Sequence, residues 1–109
     1  MSKVEEAPAQ LFAALGDATR LGLIGRLSDG AERSIAQLGE GLPISRQAVA
    51  KHLDVLLGAG LVRRTRSGRE VLFTLEPEAI ADARDWLAQV SSQWDETLGR
   101  LKNFVESQP

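Results

Sequence analysis

Apolar positions recur along this chain with two different periods. Leu11, Phe12 and Leu15 lie at the three- and four-residue steps of one helix face. Pro8 suits the first turn of that helix, where a missing N–H costs nothing, and Gly16 stops it. Asp17 predicts an N-cap for a second helix over about residues 18–28, with Leu21, Ile24 and Leu27 inward. Gly22 and Gly25 inside it cost about 1 kcal/mol each relative to alanine, so tertiary packing must hold it. Ser34 predicts the cap of a short third helix through Glu40, carrying Ile35 and Leu38, and Gly-Leu-Pro then breaks the chain. Ser45 caps a fourth helix with Val49, Leu53, Leu56 and Leu57 on its core side; Gly58 and Gly60 end it. Its other side shows Arg46, Gln47 and Lys51.

The period then changes. Leu61 to Arg66 and Arg69 to Leu75 are β-branched, apolar and arginine-rich, and Ser67-Gly68 between them reads as a hairpin turn. Pro77 and Glu78 open a last helix that nothing breaks before about residue 106. On it Ile80, Ala83, Leu87, Val90, Trp94, Thr97, Leu101 and Phe104 alternate steps of three and four, with Leu98 and Val105 beside them. This is an a/d seam of about four heptads. At roughly 1.5 Å per residue the helix would be about 45 Å long, more than a domain of this size can cover. The excess stripe calls for a second surface, most simply the same helix of another copy. The fold class is mainly α with a little β: a winged helix-turn-helix of four helices, a two-stranded hairpin wing and a long closing dimerisation helix. One domain fills 1–109, with helix 1–16, helices over 17–58, wing 61–75 and closing helix 77–106.

Charge sharpens this picture. The chain of 109 residues has a net charge of −2, yet residues 45–69 carry Arg46, Lys51, Arg63, Arg64, Arg66 and Arg69 against Asp54 alone, +5 in sum. Acidic flanks surround this basic island, and such a patch binds polyanion whatever the net charge. The chain has no cysteine and one histidine, which excludes disulfides, thiolate chemistry and a histidine metal site. No tyrosine, second histidine or phosphate loop supports an enzyme. No apolar run approaches the roughly 20 residues that cross a bilayer. The acidic start, Met-Ser-Lys-Val-Glu-Glu, has no apolar signal core. A cytoplasmic protein without membrane contact is the expectation.

Three stretches, "LGDATRLGLIGRL", "SIAQLGEGLPISRQAVAKHLDVLLGAGLV" and "RRTRSGREVLFTL", resemble in the same order the ArsR-type winged helix repressors of bacteria. The similarity covers about residues 9–76. The resemblance implies a homodimeric transcription regulator, usually a repressor, whose first and last helices form the dimer interface. It implies a recognition helix at 45–58 and a wing tip near 67 and 68. Metal-responsive members carry cysteines in the third helix, where "SIAQLGE" has none, or histidines in the closing helix, which here lacks them. The chain therefore looks closer to the metal-independent branch, with no cofactor and an unknown effector. Ala50 stands where many relatives have serine.

The expected DNA-contacting set is Ser45, Arg46, Gln47, Lys51, His52, Arg64, Arg66 and Arg69. Gln pairs with adenine through two hydrogen bonds, and Arg or Lys pairs with guanine O6 and N7. Strand side chains alternate, so the four wing arginines cannot all face DNA. Arg66 and Arg69 flank the turn, whereas Arg63 or Arg64 can pair with an acid such as Glu70. His52 is either a half-buried packing residue or a phosphate contact. Asp17 and Arg20 read as a cap and a local ion pair. The expected dimer set is Leu11, Phe12, Leu87, Val90, Trp94, Leu98 and Leu101; Trp86 flanks the seam and covers the domain. The function expected is sequence-specific binding of double-stranded DNA by a homodimeric repressor on an inverted-repeat operator. The alternative is a winged helix protein-interaction module that does not bind DNA.

Overall fold

The computed structural model describes residues 3–107, with side chains from Pro8 onward. Met1 and Ser2, at the head of the acidic start, and Gln108 and Pro109 at the end of the 1–109 span lie outside the described residues. The elements run α1 (Lys3–Leu15), α2 (Ala18–Arg26), β1 (Arg33–Ser34), α3 (Ile35–Leu38), α4 (Arg46–Gly58), β2 (Val62–Ser67), β3 (Glu70–Leu75) and α5 (Pro77–Glu106). This is a winged helix-turn-helix. α1 begins before Pro8, which sits inside it and not in its first turn. At that place a proline removes one backbone bond and crowds the carbonyl four residues before it, a cost that the helix bears without ending.

The caps form where the sequence places them. Asp17 accepts the backbone N–H of Arg20, and Ser34 with Gln37 makes a reciprocal capping box around α3. Ser45 accepts from the N–H of Ala48 at 3.1 Å. α3 is shorter than expected, ending at Leu38 with Gly39 as its C-cap. Gly39 makes a close approach: a Cβ there would lie 3.1 Å from Cγ2 of Val49 on α4, so Val49 would have to give by a few tenths of an ångström. The two helices of the helix-turn-helix thus meet closely at this glycine.

α4 ends in a Schellman turn. Gly60, at φ +74°, gives its N–H to Leu57, and the N–H of Leu61 reaches back to the carbonyl of Leu56. Leu56 and Leu61 are both fully buried, the apolar contact that accompanies this turn. The carbonyl of Leu61 then accepts the N–H of Glu76 at 2.9 Å, so the hairpin closes where it opened.

β2 and β3 pair antiparallel from Val62↔Leu75 to Ser67↔Glu70. The turn therefore comprises Gly68 and Arg69, one residue later than Ser67-Gly68. Gly68 has φ +62° and no non-glycine residue has positive φ among those described. Positive φ at the first turn position alone is the type II′ pattern, which puts glycine first. The sheet also gains a strand: Arg33 and Ser34 pair with Phe73 and Leu72, giving the order β1-β3-β2. Two residues carry no alternation, so this strand has no sequence signal.

Leu23, Leu27, Leu38, Val49, Leu53, Leu56 and Leu61 are sealed from water, with Leu11, Ala14, Val62 and Phe73 almost so. Burying a side chain of this size contributes roughly 1.5–3 kcal/mol, and this single cluster joins α1–α4 to the sheet. Arg26 ties its polar edge: Nη1 donates to the carbonyls of Leu38 and Glu40 at 2.9 and 2.6 Å. These are carbonyls that the end of α3 leaves unpaired. Arg33 in turn donates to the Arg26 carbonyl and holds Asp29 through two bonds of 2.8 and 2.7 Å. That pairing with Arg33 holds the Asp29 carboxyl well below the usual carboxylate range.

Arg26→Met keeps the stem and removes the donors. It should lower stability by about 1–3 kcal/mol through the orphaned carbonyls, read as a fall in the urea midpoint with an unchanged m-value. An unchanged midpoint would show that water replaces the guanidinium without cost.

Candidate nucleic-acid interface

α4 presents two sides. Val49, Leu53 and Leu56 face the core, and Arg46, Gln47, Lys51 and Asp54 are exposed. Arg46 and Gln47 border a shallow open groove with Ser34, Ile35, Ala36, Ala50, Glu70 and Val71. The turn end of β3, at Glu70 and Val71, thus stands beside the first turn of α4. Ser45 is engaged as the cap, its hydroxyl already accepting from Ala48.

On β2 the alternation divides the arginines. Val62 faces the core and is 3% exposed. Arg64 and Arg66 follow on its side of the hairpin, opposite Phe73 and Val71. Arg63 points the other way, where its Nε lies 2.7 Å from Oε1 of Glu76. The acid partner is therefore Glu76 and not Glu70, because Arg63 pairs with Thr74 across the ladder and Glu76 is two residues on. Arg69 occupies the turn itself. Among the described residues Arg46, Lys51, Arg64, Arg66 and Arg69 take part in no ion pair. Five cations of the basic island, on α4 and the wing, thus remain without an acidic partner among the described residues.

His52 is half-buried, its Nδ1 3.3 Å from Nη1 of Arg20 and 3.9 Å from Oδ2 of Asp17. Arg20 does not pair its guanidinium with Asp17 as expected: Nε donates to the carbonyl of Ala14 at 2.6 Å, and only its backbone N–H meets the carboxylate. That backbone bond, with the charges of Arg20 and His52 nearby, keeps the Asp17 carboxyl below its ordinary value. Sequence reasoning missed this Arg20–His52 link, and also Arg26 and Gly39; neighbours 32, 12 and 10 positions apart leave no local pattern.

The residues of the seam separate. Leu11 lies in the chain's own core at 6% exposure, so it offers no free face. Phe12 is half-buried against Trp86, ring centroids 5.4 Å apart and tilted, which gives Trp86 its covering role. Ala79, Ile80 and Ala83 pack on the core. Further along α5, Leu87, Trp94, Leu98, Leu101, Phe104 and Val105 are all at least half exposed, and Val90 is partly so. No helix among the described residues is long and apolar enough to cross a membrane.

A helix-turn-helix with a basic hairpin wing is a DNA-binding architecture, and known proteins agree. The chain matches the model of a helix-turn-helix domain over residues 15–65. It is similar to a helix-turn-helix-type transcriptional regulator of Mycobacterium tuberculosis, 31% identical over 102 residues, covering 94% of this chain and 92% of the relative. It is also similar to the arsenical resistance operon repressor of Escherichia coli, 34% identical over 83 residues, 76% of this chain and 68% of that one. A solved ArsR-like transcriptional regulator from Rhodococcus sp. RHA1 superposes with a TM-score of 0.82 at 34% identity, covering 98% of this chain and all of the other. The chain belongs to the ArsR family of winged helix DNA-binding transcriptional regulators, which are not enzymes.

The two sides of β2 should differ in salt dependence. Arg66→Ala should weaken binding to any duplex and flatten the plot of log K against log salt by about one unit. Arg63→Ala, removing a residue held by Glu76, should leave that slope unchanged. Duplex titrations from low to moderate salt read both. Equal flattening by the two variants would show that the Glu76 pair opens on DNA.

Proposed function

We propose that the chain acts in the cytoplasm as a homodimeric repressor that occupies an inverted-repeat operator, with α4 reading bases and the wing held to phosphate. The observation that carries the dimer is the row of apolar side chains on α5. Trp94, Leu98, Leu101, Phe104 and Val105 are 55–63% exposed along a helix that runs beyond the domain. The chain is 72 Å in its longest dimension against 30 and 25 Å across, and among the described residues nothing covers this stripe. Contiguous exposed apolar surface of that kind marks an interface. A two-fold seam through Leu87, Val90, Trp94, Leu98 and Leu101, with Phe12 at its inner end, would cover it. It would set two α4 helices toward half-sites about one DNA turn, roughly 34 Å, apart.

Within each half-site, Ser45, Arg46, Gln47 and Lys51 belong to the first two turns of α4. His52, Arg64, Arg66 and Arg69 are the phosphate-side contacts in this reading. Phosphate contacts set register and bases set specificity. Metal plays no part in the reading: the chain has no cysteine, and its one histidine already bonds Arg20.

Gln47→Ala should cost about 1–3 kcal/mol per half-site on the operator and little on random duplex, with the salt slope nearly intact. The operator itself comes from mapping protected sites across the genome. The same titrations with micromolar zinc added should give unchanged affinities. A Gln47→Ala protein that loses both duplexes equally would make α4 a phosphate rail, and a chelator-reversible tenfold loss with zinc would overturn metal independence.

Trp94→Asp would bury charge in the seam, at several kcal/mol for each unpaired ion. Sedimentation should then show monomers or aggregates, with operator binding lost. A variant that remains a stable dimer would remove Trp94 from the interface.

A further inference from the structure

Arg20 makes three contacts, and only the first belongs to the cap of α2. Its backbone N–H goes to Asp17 at 3.0 Å, its Nε to the carbonyl of Ala14 at the end of α1 at 2.6 Å, and its Nη1 to Nδ1 of His52 on α4 at 3.3 Å. One side chain of α2 thus joins α1 to the helix that carries Gln47. A guanidinium has donors only. The contact with Nδ1 is a hydrogen bond only if that nitrogen offers its lone pair. The proton of the neutral ring must then sit on Nε2. The alternative, Nδ1–H donating to Asp17, fails on distance, since 3.9 Å is beyond hydrogen-bond reach. It would also set two N–H groups against each other. Nε2 has no partner among the described residues, and it is not among the buried polar atoms that lack one. It therefore reaches solvent, on a ring that is a quarter exposed. On the helical wheel His52 flanks the core stripe of Val49, Leu53 and Leu56, about 100° around α4 from Lys51.

We propose that Arg20 is a positioning residue: it locks α4 to the end of α1 and holds His52 as the tautomer whose Nε2–H is free to donate to a DNA phosphate. The proposal rests on the reading of α4 as the DNA-facing helix. Arg20 itself does not touch DNA. Its side chain is turned inward to Ala14 and His52, and what it contributes is the orientation of a donor and of the helix bearing it. Asp17 completes the arrangement by fixing the backbone of Arg20 at the start of α2. Lysine in place of Arg20 would keep the charge but not the fork that reaches two acceptors at once.

The chain has one histidine, so its imidazole nitrogens are read by NMR without assignment. At about pH 8, above the ordinary imidazole range, the free wild-type protein should show a protonated Nε2 and a bare Nδ1. A ring protonated at Nδ1 would overturn the proposal, whatever any variant does. Arg20→Lys should relax that preference and lower operator affinity about tenfold, the size of one charge-assisted hydrogen bond. His52→Ala should lower affinity for operator and random duplex alike while leaving the salt slope nearly unchanged, because a neutral N–H displaces no counterion. The double variant should bind like His52→Ala alone, because Arg20 acts through the ring; losses that simply add would overturn the coupling. Should Arg20→Lys fail to fold, the wild-type spectrum still decides. Gln47→Ala separates the underlying reading: if it leaves operator preference intact, α4 is not the base reader, while the tautomer and the double variant still judge Arg20.

Discussion

The geometry of α4 and the wing depends on one residue that never meets solvent. Leu61 gives its N–H to Leu56, takes the N–H of Glu76 on its carbonyl, and buries its side chain completely. Those three attachments belong to α4, to the start of α5 and to the core. The Schellman turn at Gly60 thus sets the angle between α4 and the wing, while the Glu76 bond sets where α5 departs. A polar side chain at position 61, or a residue at 60 that resists positive φ, would loosen all three elements at once.

Around that junction the charges are sorted by strand alternation. The chain is acidic as a whole, yet five cations on α4, on one side of the hairpin and at its tip take part in no ion pair among the described residues. Arg63, on the other side, is neutralised by Glu76 next to the α4–β2 junction. The wing's unpaired charge and its attachment to the body are therefore carried by different arginines, one residue apart. The same economy appears in α2, where Arg26 closes the end of α3 and Arg20 joins α1 to α4. Two arginines six positions apart hold the two ends of the helix-turn-helix against its neighbours.

Much of this was readable in the chain. Caps at Asp17, Ser34 and Ser45, the glycines after α4 and the heptad run of α5 all act over a few residues, and the elements form accordingly. The long-range pieces were not. β1 is two residues that become a strand only because Phe73 and Leu72 offer an edge, and α1 bears the cost of Pro8 without ending. The hairpin turn slipped by one residue, since Ser67-Gly68 and Gly68-Arg69 look alike until the register is known. In the candidate site the exposed cations were visible as composition, whereas the partners of Arg20, Arg26 and Arg63 were hidden by distance in sequence. Leu11 shows the same limit: an apolar helix face announces burial but not whether its own chain or another supplies the cover.

The strand order β1-β3-β2 leaves β2 with a neighbour on one side only. Its outer row of backbone donors and acceptors is unpaired, the kind of edge onto which a foreign strand adds. Arginine at three of its six positions guards that edge by repulsion and by the bulk of solvated side chains. The arginines of the wing therefore protect that edge against strand addition as well as carrying its positive charge. A wing without arginine would be an open edge for another chain.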